Sequence, residues 1–109
     1  MIEEKDKWRL THILEAIEDI EELTSGCNME GFINDYKLQL AIIRLFEIIG
    51  EAANNVSPQL KSNHDEINWR EAINMRNKMI HDYFKCGLKL FGTLFKKIYR
   101  FSKNKLTRF

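Results

Sequence analysis

Leu10, Ile13, Leu14, Ile17 and Ile20 recur at steps of three and four, with Glu15, Glu18, Asp19 and Glu22 falling between them. That spacing predicts an amphipathic first helix with one buried stripe. Thr24-Ser25-Gly26 stops it, and Gly26 is placed to take a left-handed cap conformation. From about Met29 to Asn55 the apolar residues go almost all round: Leu38, Leu40, Ile42, Ile43, Leu45, Phe46, Ile48 and Ile49, with Val56 beyond. A helix of that kind lies at the centre of its bundle. Asn28 and Asn34 each offer an N-cap, so a break near residue 34 is expected. One narrow polar stripe, Arg44, Glu47, Glu51, Asn54 and Asn55, interrupts the apolar surface. Pro58 closes the region, and residues 57–67 read as a connector with one short turn. Asn68 followed by Glu71 has the spacing of a capping box, and Trp69, Met75, Met79 and Ile80 continue a third helix to about Tyr83. A last segment, Leu88 to about Ser102, puts Leu88, Phe91, Phe95, Ile98 and Ser102 on one face. There is no strand-like alternation and no repeat. The pattern predicts an all-α, antiparallel, up-and-down bundle of about four helices, one domain over residues 1–109.

Composition narrows the function classes. With 44% hydrophobic and 30% charged residues and a single proline, the chain is not a disordered or linker protein. No run of about 18 apolar residues exists, so no membrane span is expected. The charged start, Met-Ile-Glu-Glu-Lys-Asp-Lys, does not read as a secretory signal. Cys27 and Cys86 make no disulfide framework, and a reduced, cytoplasmic setting is expected. Trp8 and Trp69 are expected in the core or at an interface; His12 and His64 belong to no constellation. Residues 1–82 carry nine basic against sixteen acidic side chains, a net −7, whereas residues 83–109 carry eight basic and no acidic ones. Such a split ordinarily marks a tail for nucleic acid or a membrane surface.

The sharpest local feature is Arg76-Asn77-Lys78-Met79-Ile80-His81-Asp82-Tyr83. On a helix Arg76 and Tyr83 share a face, while Asn77 and His81 form the adjacent strip. Arg76 and His81 stand about 140° apart. They converge if the arginine swings round or if a second copy supplies partners. The residue types suit RNA cleavage. A neutral imidazole accepts a proton from a 2′-hydroxyl near pH 7, and a guanidinium holds phosphate by two bonds and stabilises developing charge. RNA brings its own nucleophile, and His12, His64 and His81 lack zinc-ligand spacing, so no metal or other cofactor is expected.

The segment Arg76 to Tyr83 resembles the R-x4-6-H motif of the HEPN superfamily, in the R-N-x-x-x-H-x-Y form of the HepT-like ribonuclease toxins. Arg44 with Glu47-Ile48-Ile49-Gly50-Glu51-Ala52-Ala53-Asn54 resembles that family's second-helix signature, and Asn68-Trp69-Arg70 its usual lead-in. The resemblance covers about residues 5–84. It implies a helical bundle that dimerises, with a composite cleft between two motif helices. The implied activity is that of a metal-independent RNA endonuclease, the toxin of a toxin–antitoxin pair. The implied partner is a minimal nucleotidyltransferase antitoxin that adenylylates the motif tyrosine, here Tyr83. Arg76, His81 and Asn77 then stand as catalytic residues. Arg44, Glu47 and Glu51 either shape the cleft and orient Arg76 or form an ion-pair ladder along their helix. A non-catalytic module of the same fold, binding a nucleotidyltransferase or RNA, is the alternative.

After Phe84 the family pattern stops, and residues 85–109 form an atypical basic tail. Read one base out of register, the codons for Phe91 to Arg100 can encode Trp-Asn-Ile-Ile-Gln-Lys-Asp-Leu-Pro, which resembles the helix this family carries there. A reading-frame slip between about Lys85 and Leu88 would account for the tail's charge without a selected role. The other reading is a basic helix for RNA phosphates or a membrane surface.

Overall fold

In the computed structural model the described backbone covers residues 3–86, with Gly92 and Lys96, and the described side chains run to Lys78, with Lys96 beyond. Among the described residues five helices follow one another: α1 (Glu4–Thr24), α2 (Met29–Ile33), α3 (Tyr36–Asn55), α4 (Pro58–Asn63) and α5 (Trp69–Cys86). There is no strand among the described residues, and the fold is all-α as the periodicity predicts. None of the described helices is long and apolar enough to cross a membrane. The expected last helix, Leu88 to Ser102, lies outside the described residues.

Each boundary has a local cause. Gly26 ends α1 with φ +72°, the left-handed conformation that glycine adopts without a Cβ penalty. Asn28 caps α2, its Oδ1 accepting from the Gly31 N–H at 2.8 Å. The break near residue 34 is present, but Asp35 rather than Asn34 caps α3, accepting from the Leu38 N–H at 3.0 Å. The buried Gln39 amide donates to the carbonyls of Phe32 and Ile33, which fastens α2 to the start of α3. The connector after Pro58 is a full short helix, α4, with the proline in its first turn, where a missing N–H costs nothing.

α3 is the central element, as its apolar surface requires, and packs against α1 on one side and α5 on the other. Ile42, Phe46, Ile49 and Ala53 from α3 meet Leu10, Ile13, Ile17 and Ile20 from α1 and Ala72 and Met75 from α5. Burying each large side chain contributes about 1.5–3 kcal/mol. Asp6, only 2% exposed, ties the bundle at one end. Its carboxylate accepts from the Ser57 N–H at 2.9 Å and the Ser57 hydroxyl at 2.6 Å, and Ser57 Oγ in turn caps α4 at the Leu60 N–H. Thus the start of α1 meets the end of α3, and the two helices run antiparallel. Trp69 is buried as expected, but Trp8 is not a core residue. It is 68% exposed, because α1 turns the stripe containing Leu10 and Ile13 inward and leaves position 8 outside it.

Candidate active site

The motif helix begins under tight local control. Asn68 Oδ1 accepts from the Glu71 N–H at 3.0 Å, and its side-chain amide donates to Glu71 Oε2 at 3.2 Å. The Trp69 indole N–H donates to the His64 carbonyl at 3.2 Å, which pins the first turn to the connector. Arg76 follows two turns on, half-buried, with Asn77 beside it. The guanidinium does not project straight out. Its Nε and Nη2 both donate to Asn77 Oδ1, at 3.2 and 2.9 Å. Asn77 lies about 100° round the helix from Arg76, and position 81 lies about 40° further. The arginine is therefore tied to the neighbour whose strip also carries position 81. The side chains of His81 and Tyr83 lie outside the described residues; their backbone belongs to α5.

The polar stripe of α3 is arranged differently. Arg44 Nη1 pairs with Glu47 Oε2 at 3.3 Å, one helical turn apart, with the arginine side chain 64% exposed. Glu51 is exposed. Arg44 and Glu51 line a groove of about 540 Å³ between α1 and α3, together with Trp8, Arg9, His12 and Glu15. Trp8 and His12 touch along its α1 rim, ring centroids 4.8 Å apart and planes tilted by 50°. None of Arg44, Glu47 and Glu51 hydrogen-bonds Arg76, and no carboxylate among the described residues pairs with it. Within one chain, then, the structure joins Arg76 to Asn77 and Arg44 to Glu47, but not the two groups to each other. Among the described residues no three His, Cys, Asp or Glu side chains cluster as a metal site.

The model of the "Ribonuclease HepT-like" family matches residues 13–104, a span that takes in the motif helix, the α3 signature and most of the basic tail. The chain belongs to the HepT-like ribonuclease family. Its relatives agree. It is 48% identical over 81 residues to "Probable ribonuclease HepT" of Thermococcus cleftensis, covering 74% of each chain. It is 37% identical over 90 residues to "Putative RNase TTE0752" of Caldanaerobacter subterraneus subsp. tengcongensis, covering 82% of this chain and 80% of that one. A third relative, "Gamma-glutamylcyclotransferase and putative RNase MJ0434" of Methanocaldococcus jannaschii, is 41% identical over 88 residues. Those cover 81% of this chain and 40% of the longer protein. No solved structure matches the chain.

In this HepT-like ribonuclease Gly50 stands within the α3 signature, but its contact with Arg76 is not readable from the sequence. Gly50 lies on the buried side of α3, directly against the base of Arg76. Nothing in its own neighbourhood signals the contact, because the partner is 26 residues away on another helix. The exposed Trp8–His12 rim also went unread, since an exposed aromatic and a buried one look alike when only one residue of the turn is considered.

Proposed function

We propose that this HepT-like ribonuclease is a metal-independent RNA endonuclease whose reaction is run by Arg76, His81 and Asn77. The observation that carries the reading is the bent guanidinium, held by two hydrogen bonds from Arg76 to Asn77 on the strip of α5 that also carries His81. His81 takes the proton from a ribose 2′-hydroxyl. The freed oxygen forms a bond to the adjacent phosphorus, and the bond from phosphorus to the 5′-oxygen of the next nucleotide breaks. That oxygen leaves with a proton, and a 2′,3′-cyclic phosphate remains on the other fragment. Arg76 holds the phosphate oxygens and stabilises the charge that builds as the attack proceeds. A single motif helix supplies one imidazole for two proton transfers. A homodimer with a cleft between two motif helices supplies a second, one His81 acting as base and the other as acid.

The same reading makes the chain the toxin of a toxin–antitoxin pair. Its partner is a minimal nucleotidyltransferase antitoxin that adenylylates Tyr83, one turn and a half from Asn77. AMP there adds bulk and negative charge beside the catalytic strip and repels the RNA backbone. Family membership and the intact Arg-Asn-x-x-x-His-x-Tyr set support these assignments. A mixing experiment tests the composite cleft: Arg76→Ala and His81→Ala chains, each inactive alone, are unfolded together and refolded. Mixed dimers hold one cleft side of each kind and recover part of the parent cleavage rate. Full activity in either variant alone contradicts the assignment. Binding of RNA without cleavage by the parent chain favours a non-catalytic module.

A further inference from the structure

We propose that Gly50 is a positioning residue for RNA cleavage, acting by letting the base of Arg76 seat against α3; the proposal rests on Arg76 being a reacting group. The chain's reasons for a glycine here are narrow. Gly50 lies inside a helix of 20 residues, where glycine is a poorer choice than alanine. Its backbone does not need glycine, since among the described glycines only Gly26 has a positive φ. What it needs is the space. A Cβ on residue 50 would overlap the Cβ of Arg76, stand 3.0 Å from the Arg76 Cγ and 3.1 Å from the Ala72 carbonyl oxygen.

The overlap falls on the root of the arginine and on the α5 backbone. A flexible tip could step aside; a Cβ moves only with its helix. Carbon atoms come to rest at about 3.5–4.0 Å, so any side chain at position 50 drives this part of α5 off α3 by on the order of 1 Å. The guanidinium is thereby fixed at two points. Gly50 sets where the side chain leaves the helix, and Asn77 Oδ1 holds its far end at 2.9 and 3.2 Å. A displacement of about 1 Å in a charge-stabilising group lowers turnover by as much as about 100-fold.

The test is a double-mutant cycle on RNA cleavage under single-turnover and steady-state conditions, with Gly50→Ala, Arg76→Gly, which removes the clashing Cβ along with the guanidinium, and both together in the full chain. Gly50→Ala is expected to lower kcat about 10- to 100-fold with KM changed less than about 3-fold. The double variant is expected to be no slower than Arg76→Gly, because the Cβ that residue 50 would meet, and the guanidinium beyond it, are already gone. Ala53→Val is the matched control. It overpacks the same buried side of α3, one turn on, and is expected to lose thermal stability while cleaving like the parent. Rates are read at a temperature where circular dichroism shows every variant folded. Losses that multiply in the double variant, a Gly50→Ala rate equal to the parent's, or a Gly50→Ala chain that folds at no temperature each overturn the proposal. Parent-like cleavage by Arg76→Gly is a different failure, that of the catalytic assignment itself.

Discussion

Replacing Asn77 by alanine isolates what the Arg76–Asn77 contact is worth to the reaction. The structure shows two bonds from one guanidinium to one amide oxygen, at 2.9 and 3.2 Å, on a half-buried part of α5. A hydrogen bond involving a charged partner contributes about 1.5–3 kcal/mol net, but these two share one acceptor and part of the site is wet. About 1.5–2.5 kcal/mol is the reasonable sum, and each 1.4 kcal/mol corresponds to about tenfold in rate. Asn77→Ala is therefore expected to slow RNA cleavage by about 10- to 60-fold. That is less than Arg76→Ala, because the guanidinium is still present and only its orientation is lost. Helix stability should not fall in parallel, since alanine is the better helix residue by about half a kcal/mol. The assay is single-turnover cleavage of an RNA oligonucleotide, with urea unfolding followed by circular dichroism on the same preparations. Asn77→Asp sharpens the test. It keeps an oxygen for Arg76 but neutralises the positive face, so its deficit should be in RNA binding and should shrink at high salt. An Asn77→Ala chain that is folded and cleaves within twofold of the parent refutes the reasoning.

Three further outcomes follow from the rest of the fold. Asp6→Ala removes both acceptors of Ser57 in a buried corner and is expected to cost about 3–4 kcal/mol of unfolding free energy in urea titrations, whereas Asp6→Asn, which keeps one acceptor, costs roughly half. Trp8→Ala should change stability by less than about 0.5 kcal/mol in the same titration, because its side chain is mostly in solvent. Lys61 is held below its ordinary value of 10.5 by partial burial and then by Arg70, against an opposing pull from Asp6. The unfolded chain thus binds more protons than the folded one just below pH 10.5, so this group's contribution to stability rises with pH through that window. Lys61→Met should flatten that rise in thermal melts between pH 9 and 10.5, relative to the parent.

The helices were legible because their signals are local. The stripe Leu10, Ile13, Ile17, Ile20 and the all-round apolar surface near Phe46 each state how much of their helix must be covered. Gly26, Asn28 and the Asn68–Glu71 pair each announce a boundary within three residues of where it acts. Asp35 displaced Asn34 as the cap of α3 because either side chain can accept there, and Asn34 itself ends α2, its N–H bonding back to the Glu30 carbonyl. Trp8, expected in the core or at an interface, is outside the core because its phase, two residues before Leu10, puts it off the buried stripe. Within the site, Arg76 and Asn77 were legible from chemical type and spacing, and their hydrogen bonds followed. The α3 stripe was legible only in part. Arg44 and Glu47 sit at ion-pair spacing and pair as a ladder would, while which groove they face depends on how α1 packs. Gly50 was legible as part of the α3 signature, but not its contact with Arg76, since that is a distance to a side chain on α5.

The central claim is that the imidazole of His81 and the guanidinium of Arg76 cleave RNA without a metal, using the ribose oxygen as nucleophile. The most direct measurement is to incubate the full chain with an RNA oligonucleotide in excess EDTA and to identify the new ends by mass spectrometry, with His81→Ala alongside. The account predicts fragments ending in a 2′,3′-cyclic phosphate paired with fragments starting in a 5′-hydroxyl, and none from a folded His81→Ala chain. Equal cleavage by His81→Ala, or ends carrying a 5′-phosphate and a 3′-hydroxyl, would contradict it.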